Sequence, residues 1–562
     1  MVALLAVLLL LAAPAPALAT TTSAAKTVTR TVTTTTDPNA LSTPSRLDRP
    51  PIGHRLTGLK ARAIAERVPK VIAARRGYPR STAGVFLKGA TRWQVSFYDT
   101  RKRKKEIAQV IVDDTTGAVL EAWTGPQVAW TMARGYPGAF GRKAGALYVW
   151  LPLLVLFVVP FVDPRRPLRI RHLDLLVLCS FSVSLAFFSR GKIDASVPLT
   201  YPPLLYLLGR LAWVGLRRPT RPPEPLRLLV PVGWLTVAVI FLLGFRIGLN
   251  VTNSNVIDVG YSGVIGADKL AHGHALYGTF PKDDPHGDTY GPVTYAAYVP
   301  FELALPWKGR WDDLPAAHGA ALLFDLLAAG GLFLLGRRIR GPTMGIALTY
   351  AWVAFPFTLF ALNTNANDTL VAALLVAALL VTARPVARGA MAALAAAAKF
   401  APLALFPLLA AQPPRRTARF ALAFAATAFV CLLPAILQGE PRLFYDRTLG
   451  FQASRDAPFS VWGLWGWPGA LRALVQAAAL LFAVAVAFVP RRRDVIGTAA
   501  LAGAVLIALQ LGATYWFYLY VVWFFPLALV ALIGRDAEPT RPSPPAPAAA
   551  RSHPRAMAAS TG

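Results

Sequence analysis

Apolar residues in this chain gather in blocks of about twenty, the length at which a helix spans a bilayer. Eleven such blocks lie at 145–162, 173–189, 196–216, 228–248, 316–336, 343–361, 368–383, 418–437, 470–489, 495–512 and 515–533. The pattern predicts an all-α polytopic membrane protein with about eleven transmembrane helices. Two further apolar stretches are interrupted, 290–306 by Pro292, Pro300 and Pro306, and 389–411 by Lys399 and Pro402. Both read as re-entrant segments, because irregular backbone is tolerated at membrane depth only when buried in protein or lining a wet cavity.

Before these blocks the pattern changes. Residues 3–13 are apolar and lead through Pro14 and Pro16 to Ala17-Leu18-Ala19, the outline of a signal peptide over 1–19, or of an uncleaved anchor. Residues 20–57 are rich in Thr, Ser, Ala and Pro and predict a flexible linker. From Leu59 to Arg76 apolar positions recur at helical spacing. Short β-rich runs follow at Ala83–Leu87, Arg92–Tyr98, Ile107–Val112 and Ala118–Trp123, with a turn at Asp113-Asp114-Thr115-Thr116-Gly117. Residues 58–134 thus predict a small α+β domain without a catalytic constellation.

Composition narrows the class. Hydrophobic residues make up 55% and charged residues 15%, which excludes a soluble multidomain enzyme and a disordered chain. The two cysteines, Cys179 and Cys431, lie inside apolar blocks and exclude a disulfide scaffold. The net charge of +30 points less to nucleic acid than to orientation, since the basic residues cluster in short loops. Arg165, Arg166, Arg169 and Arg171 follow the first block. Arg217, Arg218, Arg221 and Arg227 follow the third, and Arg337, Arg338 and Arg340 the fifth. Arg384 and Arg388 follow the seventh, and Arg491, Arg492 and Arg493 the ninth. Placing these loops in the cytoplasm puts the 58–134 domain outside and the Pro-rich tail 535–562 inside, as in a plasma-membrane protein of a bacterium.

The alternate loops then hold the polar chemistry on the external face. The longest, near 250–315, carries Asn253, Asn255, Asp258, Tyr261, His272, His274, Asp283, Asp284, His286, Asp288 and Tyr290. Its His and Asp residues lack metal-ligand spacing, and no metal is assigned. Asn363-Thr364-Asn365-Ala366-Asn367-Asp368 opens another block, as a helix cap or as a polar site. Arg455 lies in a third external loop, and Thr514-Tyr515-Trp516-Phe517-Tyr518 forms an aromatic run. Lys399 stands in an apolar stretch, where an unpaired ammonium costs ~2.5 kcal/mol or more; it should face a cavity, meet an anion or snorkel to an interface.

Two resemblances follow from these residues. Trp93-Gln94-Val95, Val110-Ile111-Val112-Asp113 and Thr116-Gly117-Ala118-Val119 resemble a PepSY domain, a binding or regulatory module. Asp258, the stretch Asp288 to Pro300, Asn365-Ala366-Asn367-Asp368, Lys399-Phe400-Ala401-Pro402 and Phe451 to Trp462 resemble glycosyltransferase family 87. That family comprises polyprenol-phosphate-mannose-dependent mannosyltransferase-like proteins of the GT-C superfamily. The resemblance covers 226–533; the helices at 145–216 and the PepSY-like domain depart from the family outline. It implies inverting transfer of mannose, or another hexose or pentose, from a polyprenyl-phosphate donor to an extracytoplasmic glycan or glycolipid. Asp258 would be the general base, and Tyr261, His272, Asp288, Tyr290, Asn365, Asp368, Lys399 and Arg455 the substrate-binding residues. No cofactor is implied beyond the lipid-linked donor. A transporter or flippase of polyprenyl-linked glycans, or a membrane sensor with an external binding domain, are the alternatives.

Overall fold

The computed structural model describes residues 40–101, 105–136, 138–217, 226–437, 441–455, 457–489 and 492–535. The expected signal peptide at 1–19, the first half of the linker, Arg218, Arg221, Arg491 and the tail from 536 lie outside them.

The N-terminal unit is an antiparallel meander in the order β1 (Leu41–Ser42), β2 (Ser81–Lys88), β3 (Arg92–Asp99), β4 (Lys105–Asp113), β5 (Val119–Thr124). Two helices, α1 (Gly58–Glu66) and α2 (Pro69–Arg76), cover one face. Pro69 splits the single helix expected over 59–76, because it starts a helix readily and cannot continue one. Trp93, Val95 and Phe97 of β3 pair with Val112, Val110 and Ala108 of β4 and pack on Ala61, Ala65 and Val71. The linker is not wholly a tether. Residues 41–42 add a strand, and the buried Asp114 carboxylate accepts the N–H groups of Arg55 and Leu56 at 2.7 and 3.1 Å and Trp93 Nε1–H at 2.7 Å.

The remainder is helical: α3 (Leu147–Val158), α4 (Ile170–Phe188), α5 (Tyr201–Leu216), α6 (Val232–Thr252), α7 (Asp258–Ala271), α8 (Pro315–Arg340), α9 (Pro342–Ala354), α10 (Pro356–Asn363), α11 (Asp368–Leu380), α12 (Pro385–Ala398), α13 (Thr417–Leu437), α14 (Gly469–Ala485), α15 (Val495–Leu511) and α16 (Val521–Leu532). The eleven crossings expected from the blocks are not supported. Among the described residues four helices, α4, α6, α8 and α13, are long and apolar enough to cross a membrane. The pair α9–α10, bent by 59° at Pro356, makes a fifth if taken as one span. The other blocks form helices of 10–17 residues, at most about 26 Å of rise against a hydrocarbon core of about 30 Å. Block length counted apolar residues; helix length is set by where Pro, Gly and polar residues break the backbone ladder. The two interrupted stretches are indeed broken, 290–306 into Pro292–Ala296 and Val299–Ala304, and 389–411 at Lys399.

Helices α9, α10, α11, α15 and α16 are buried almost all round, as helices apolar on every face should be. Helices α6 and α13 instead expose apolar side chains, including Ile240, Phe241, Leu422 and Phe429. A buried ion pair that hydropathy does not show ties α6 to α8: Arg246 Nη2 lies 2.5 Å from Asp325 Oδ1, which also accepts Trp352 Nε1–H at 3.0 Å.

Candidate functional site

Two helix N-termini are stitched together first. Asn255 and Ile257 donate their backbone N–H groups to the carbonyls of Asn363 and Thr364, each at 3.2 Å. Asn365 sits at φ +50°, a left-handed conformation that Asn tolerates better than most residues. Its side-chain oxygen accepts from Asn250 Nδ2 at 2.8 Å, and its Nδ2 donates to Ser254 Oγ at 3.0 Å and the Asn255 carbonyl at 3.1 Å. Gly260 allows this approach, since a Cβ there would lie 2.3 Å from the Asn365 carbonyl oxygen. The clamp brings Asp258, first residue of α7, toward Asp368, first residue of α11. Asn365, expected to bind substrate, is therefore a fully buried structural residue with its amide occupied.

Asp368 in turn meets Lys399. The ammonium lies 2.6 Å from Asp368 Oδ1, which also accepts Trp523 Nε1–H at 2.8 Å. Lys399 is thus not the lone cation its sequence context suggested. Helix α12 ends one residue earlier, and the Ala398 carbonyl accepts Gly291 N–H at 3.2 Å and Thr294 Oγ–H at 2.8 Å. This contact sets Tyr290 beside Lys399, whose ammonium lies 5.2 Å from the ring centres of both Tyr290 and Trp523. Such cation–π contacts offset part of the cost of partial burial.

A cavity of about 240 Å³ opens against this group, with Tyr290, Lys399, Arg472, Tyr515, Tyr520 and Trp523 in its wall. Among the described residues the wall includes two cations and no carboxylate. Arg455 flanks it, its guanidinium 3.7 Å from the ring centre of Tyr515. The Nε atoms of Arg455 and Arg472 are buried and lack hydrogen-bond partners among the described residues.

Asp258 is not part of the cavity wall, but it feels the same charges. Residue 258 keeps accessible surface, although protein closely surrounds its carboxyl. Burial raises its carboxyl above the ordinary Asp range; the Val259 N–H, Arg455 and Lys399 oppose the rise and Asp368 reinforces it. The helix it opens runs from Asp258 to Ala271.

Three expected site residues lie elsewhere. Tyr261 is fully buried, stacks on Trp311 with centroids 4.7 Å apart and donates its hydroxyl to Asp283 at 3.0 Å. His272 sits just past the far end of α7, about 20 Å from Asp258 along the helix, with Nδ1 3.2 Å from Asp268 Oδ1. Asp288 is buried and holds its own loop, accepting Gly278 N–H at 2.7 Å with Arg447 Nε at 3.6 Å. Asp258, Tyr290, Asp368, Lys399 and Arg455 are the residues brought together. Sequence reasoning missed Arg472, Tyr520 and Trp523. Trp523 lies inside an apolar block with no local mark of its contact with Asp368. Among the described residues, no three His, Cys, Asp or Glu side chains converge as a metal site.

No protein-family model matches this chain, and no curated protein matches it significantly.

Proposed function

We propose that the chain is an integral membrane glycosyltransferase of GT-C type, similar to family 87, that moves a sugar from a polyprenyl-phosphate donor to an extracytoplasmic glycan or glycolipid. The observation that carries this reading is the carboxylate of Asp258 in the field of Lys399 and Arg455, which line or flank an aromatic-walled cavity whose wall, among the described residues, holds cations and no acid. Arg472 and Gln476 of α14 belong to that wall, while Leu474 and Leu481 of the same helix are exposed. A ligand carried on a lipid therefore has an apolar track next to the cavity.

In this reading the acceptor hydroxyl oxygen attacks the anomeric carbon. The new C–O bond forms as the bond from that carbon to the phosphate oxygen breaks, with inversion. The acceptor proton passes to Asp258, for which a raised carboxyl is suited. Polyprenyl phosphate leaves, and its charge is met by Arg455 and Lys399, for which charge-assisted hydrogen bonds are the strong kind. Asp368 orients Lys399, and the faces of Tyr290 and Trp523 stack on the sugar. Basic loops face the cytoplasm, and the site and the PepSY-like domain face outward, the latter binding or regulating.

Asp258→Asn tests the assignment, because it keeps size and removes basicity. Transfer from a radiolabelled polyprenyl-phosphate sugar should fall at least ~10²-fold, with donor binding retained. Near-normal turnover by this variant would move the base to another residue or end the proposal.

A further inference from the structure

A second cleft, of about 500 Å³, opens between the turn after α3, the chain entering α6 and the first turn of α9. Asp163, Arg165, Arg227 and Thr343 supply its polar wall, and Leu228 and Leu229 part of the apolar one. The Leu229 N–H donates to the Pro160 carbonyl at 2.9 Å, which fixes that wall against the turn. The one acid among the described wall residues is already engaged. Asp163 Oδ1 accepts the Arg165 backbone N–H at 3.2 Å, and Oδ2 pairs with Arg169 at 3.3 Å. Arg165 and Arg227 are exposed, and neither guanidinium forms a salt bridge among the described residues.

Three independent features give this cleft a ligand class. Among the described residues its uncompensated charge is positive. Val232 and Thr343 line it from the first turns of α6 and α9, where unpaired backbone N–H groups and the helix dipole favour an anion. From its rim, α6 runs away with Trp234, Val237, Ile240 and Phe241 exposed by 57–69%. An exposed Trp at the start of an outward-facing apolar helix marks a membrane interface.

We propose that this cleft holds the phosphate of an anionic glycerophospholipid, with the acyl chains lying along the outer face of α6. The guanidiniums of Arg165 and Arg227 contact the phosphate, and a headgroup carrying its own ammonium is disfavoured beside them. The site is separate from the Asp258–Lys399 cluster and stands whether or not the chain transfers sugar.

Native mass spectrometry of the full chain in detergent tests this, with phosphatidylglycerol, phosphatidylcholine and inorganic phosphate as probes. Phosphatidylglycerol should be retained and phosphatidylcholine lost. The double variant Arg165→Gln/Arg227→Gln should weaken phosphatidylglycerol binding about 30-fold, from roughly fivefold for each basic residue near a lipid surface. Arg165→Lys/Arg227→Lys should keep most of it, and unchanged circular dichroism verifies that each variant folds. Equal retention of the two lipids, or an unchanged affinity in the Gln variant, overturns the proposal. Displacement of phosphatidylglycerol by millimolar inorganic phosphate also overturns it and assigns the cleft to a free anion.

Discussion

The Asp368–Lys399 pair gives the sharpest energetic prediction. Both side chains are nearly inaccessible, at 1% and 9%. Replacing Asp368 by Asn keeps the oxygen that accepts Trp523 Nε1–H and removes the charge facing Lys399. An ammonium left without its partner in a buried site typically costs ~3–5 kcal/mol. Lys399 also borders a cavity that water can enter, so about 3 kcal/mol is expected. Lys399→Met alone leaves the Asp368 carboxylate uncompensated, with Oδ2 already lacking a partner among the described residues, and should cost a similar amount. The double variant removes both charges and should lie within about 1–2 kcal/mol of the parent, since a buried pair contributes little net stability over a neutral replacement. The coupling term is then several kcal/mol. It can be measured from unfolding in mixed detergent–SDS micelles followed by tryptophan fluorescence. If the two single losses simply add, within the ~0.5 kcal/mol expected of independent sites, the two charges are not coupled and the positioning role given to Asp368 is refuted.

Two further outcomes follow from groups around the site. Burial pushes the Asp284 carboxyl up to about 7, despite its hydrogen bond from Ser262 and reinforced by Asp258, Asp283 and Asp288. A raised folded-state value means that its contribution is complete below the unfolded value and is lost as pH climbs through about 7. Hydrogen-exchange protection factors over residues 278–291, corrected for the intrinsic pH dependence of exchange, should therefore fall between pH 5 and pH 8, by an amount worth at most ~3 kcal/mol. Asp284→Asn should flatten that dependence, and an unaltered slope in the variant would assign it to another group. Gly291→Ala would place a Cβ 1.9 Å from the Ala397 carbonyl oxygen, forcing Tyr290 away from Lys399. It should destabilise by about 1–3 kcal/mol and reduce transfer; an unchanged melting temperature would show that the contact yields without effect.

The sequence by itself determined the class of this protein: apolar helices long enough to span a membrane behind a small α+β unit. Period-2 and helical patterns are local properties, so β2 to β5 and the helical start at Gly58 were legible from neighbours alone. So were the polar character of the 250–315 loop and the anomaly of Lys399. Helix length was not, because an apolar block records only composition, whereas the end of a helix depends on prolines, bends and packing. The site was legible as a set of candidates and no further. Asn365 and Asp368 lie three residues apart with similar chemistry, yet one is a saturated clamp and the other an ion-pair partner. That division is made by Asn250, Ser254 and Lys399, which reach them across 31 to 115 positions of chain. Tyr261 and Asp288 look equally available in sequence, and burial against Trp311 and the Gly278 N–H removes them. Trp523 carries no local signal, because an indole in an apolar block shows its hydrogen bond only when the fold presents a carboxylate to it. Partners of charged groups are long-range facts, set by which helices pack together, and only the tertiary structure decided them.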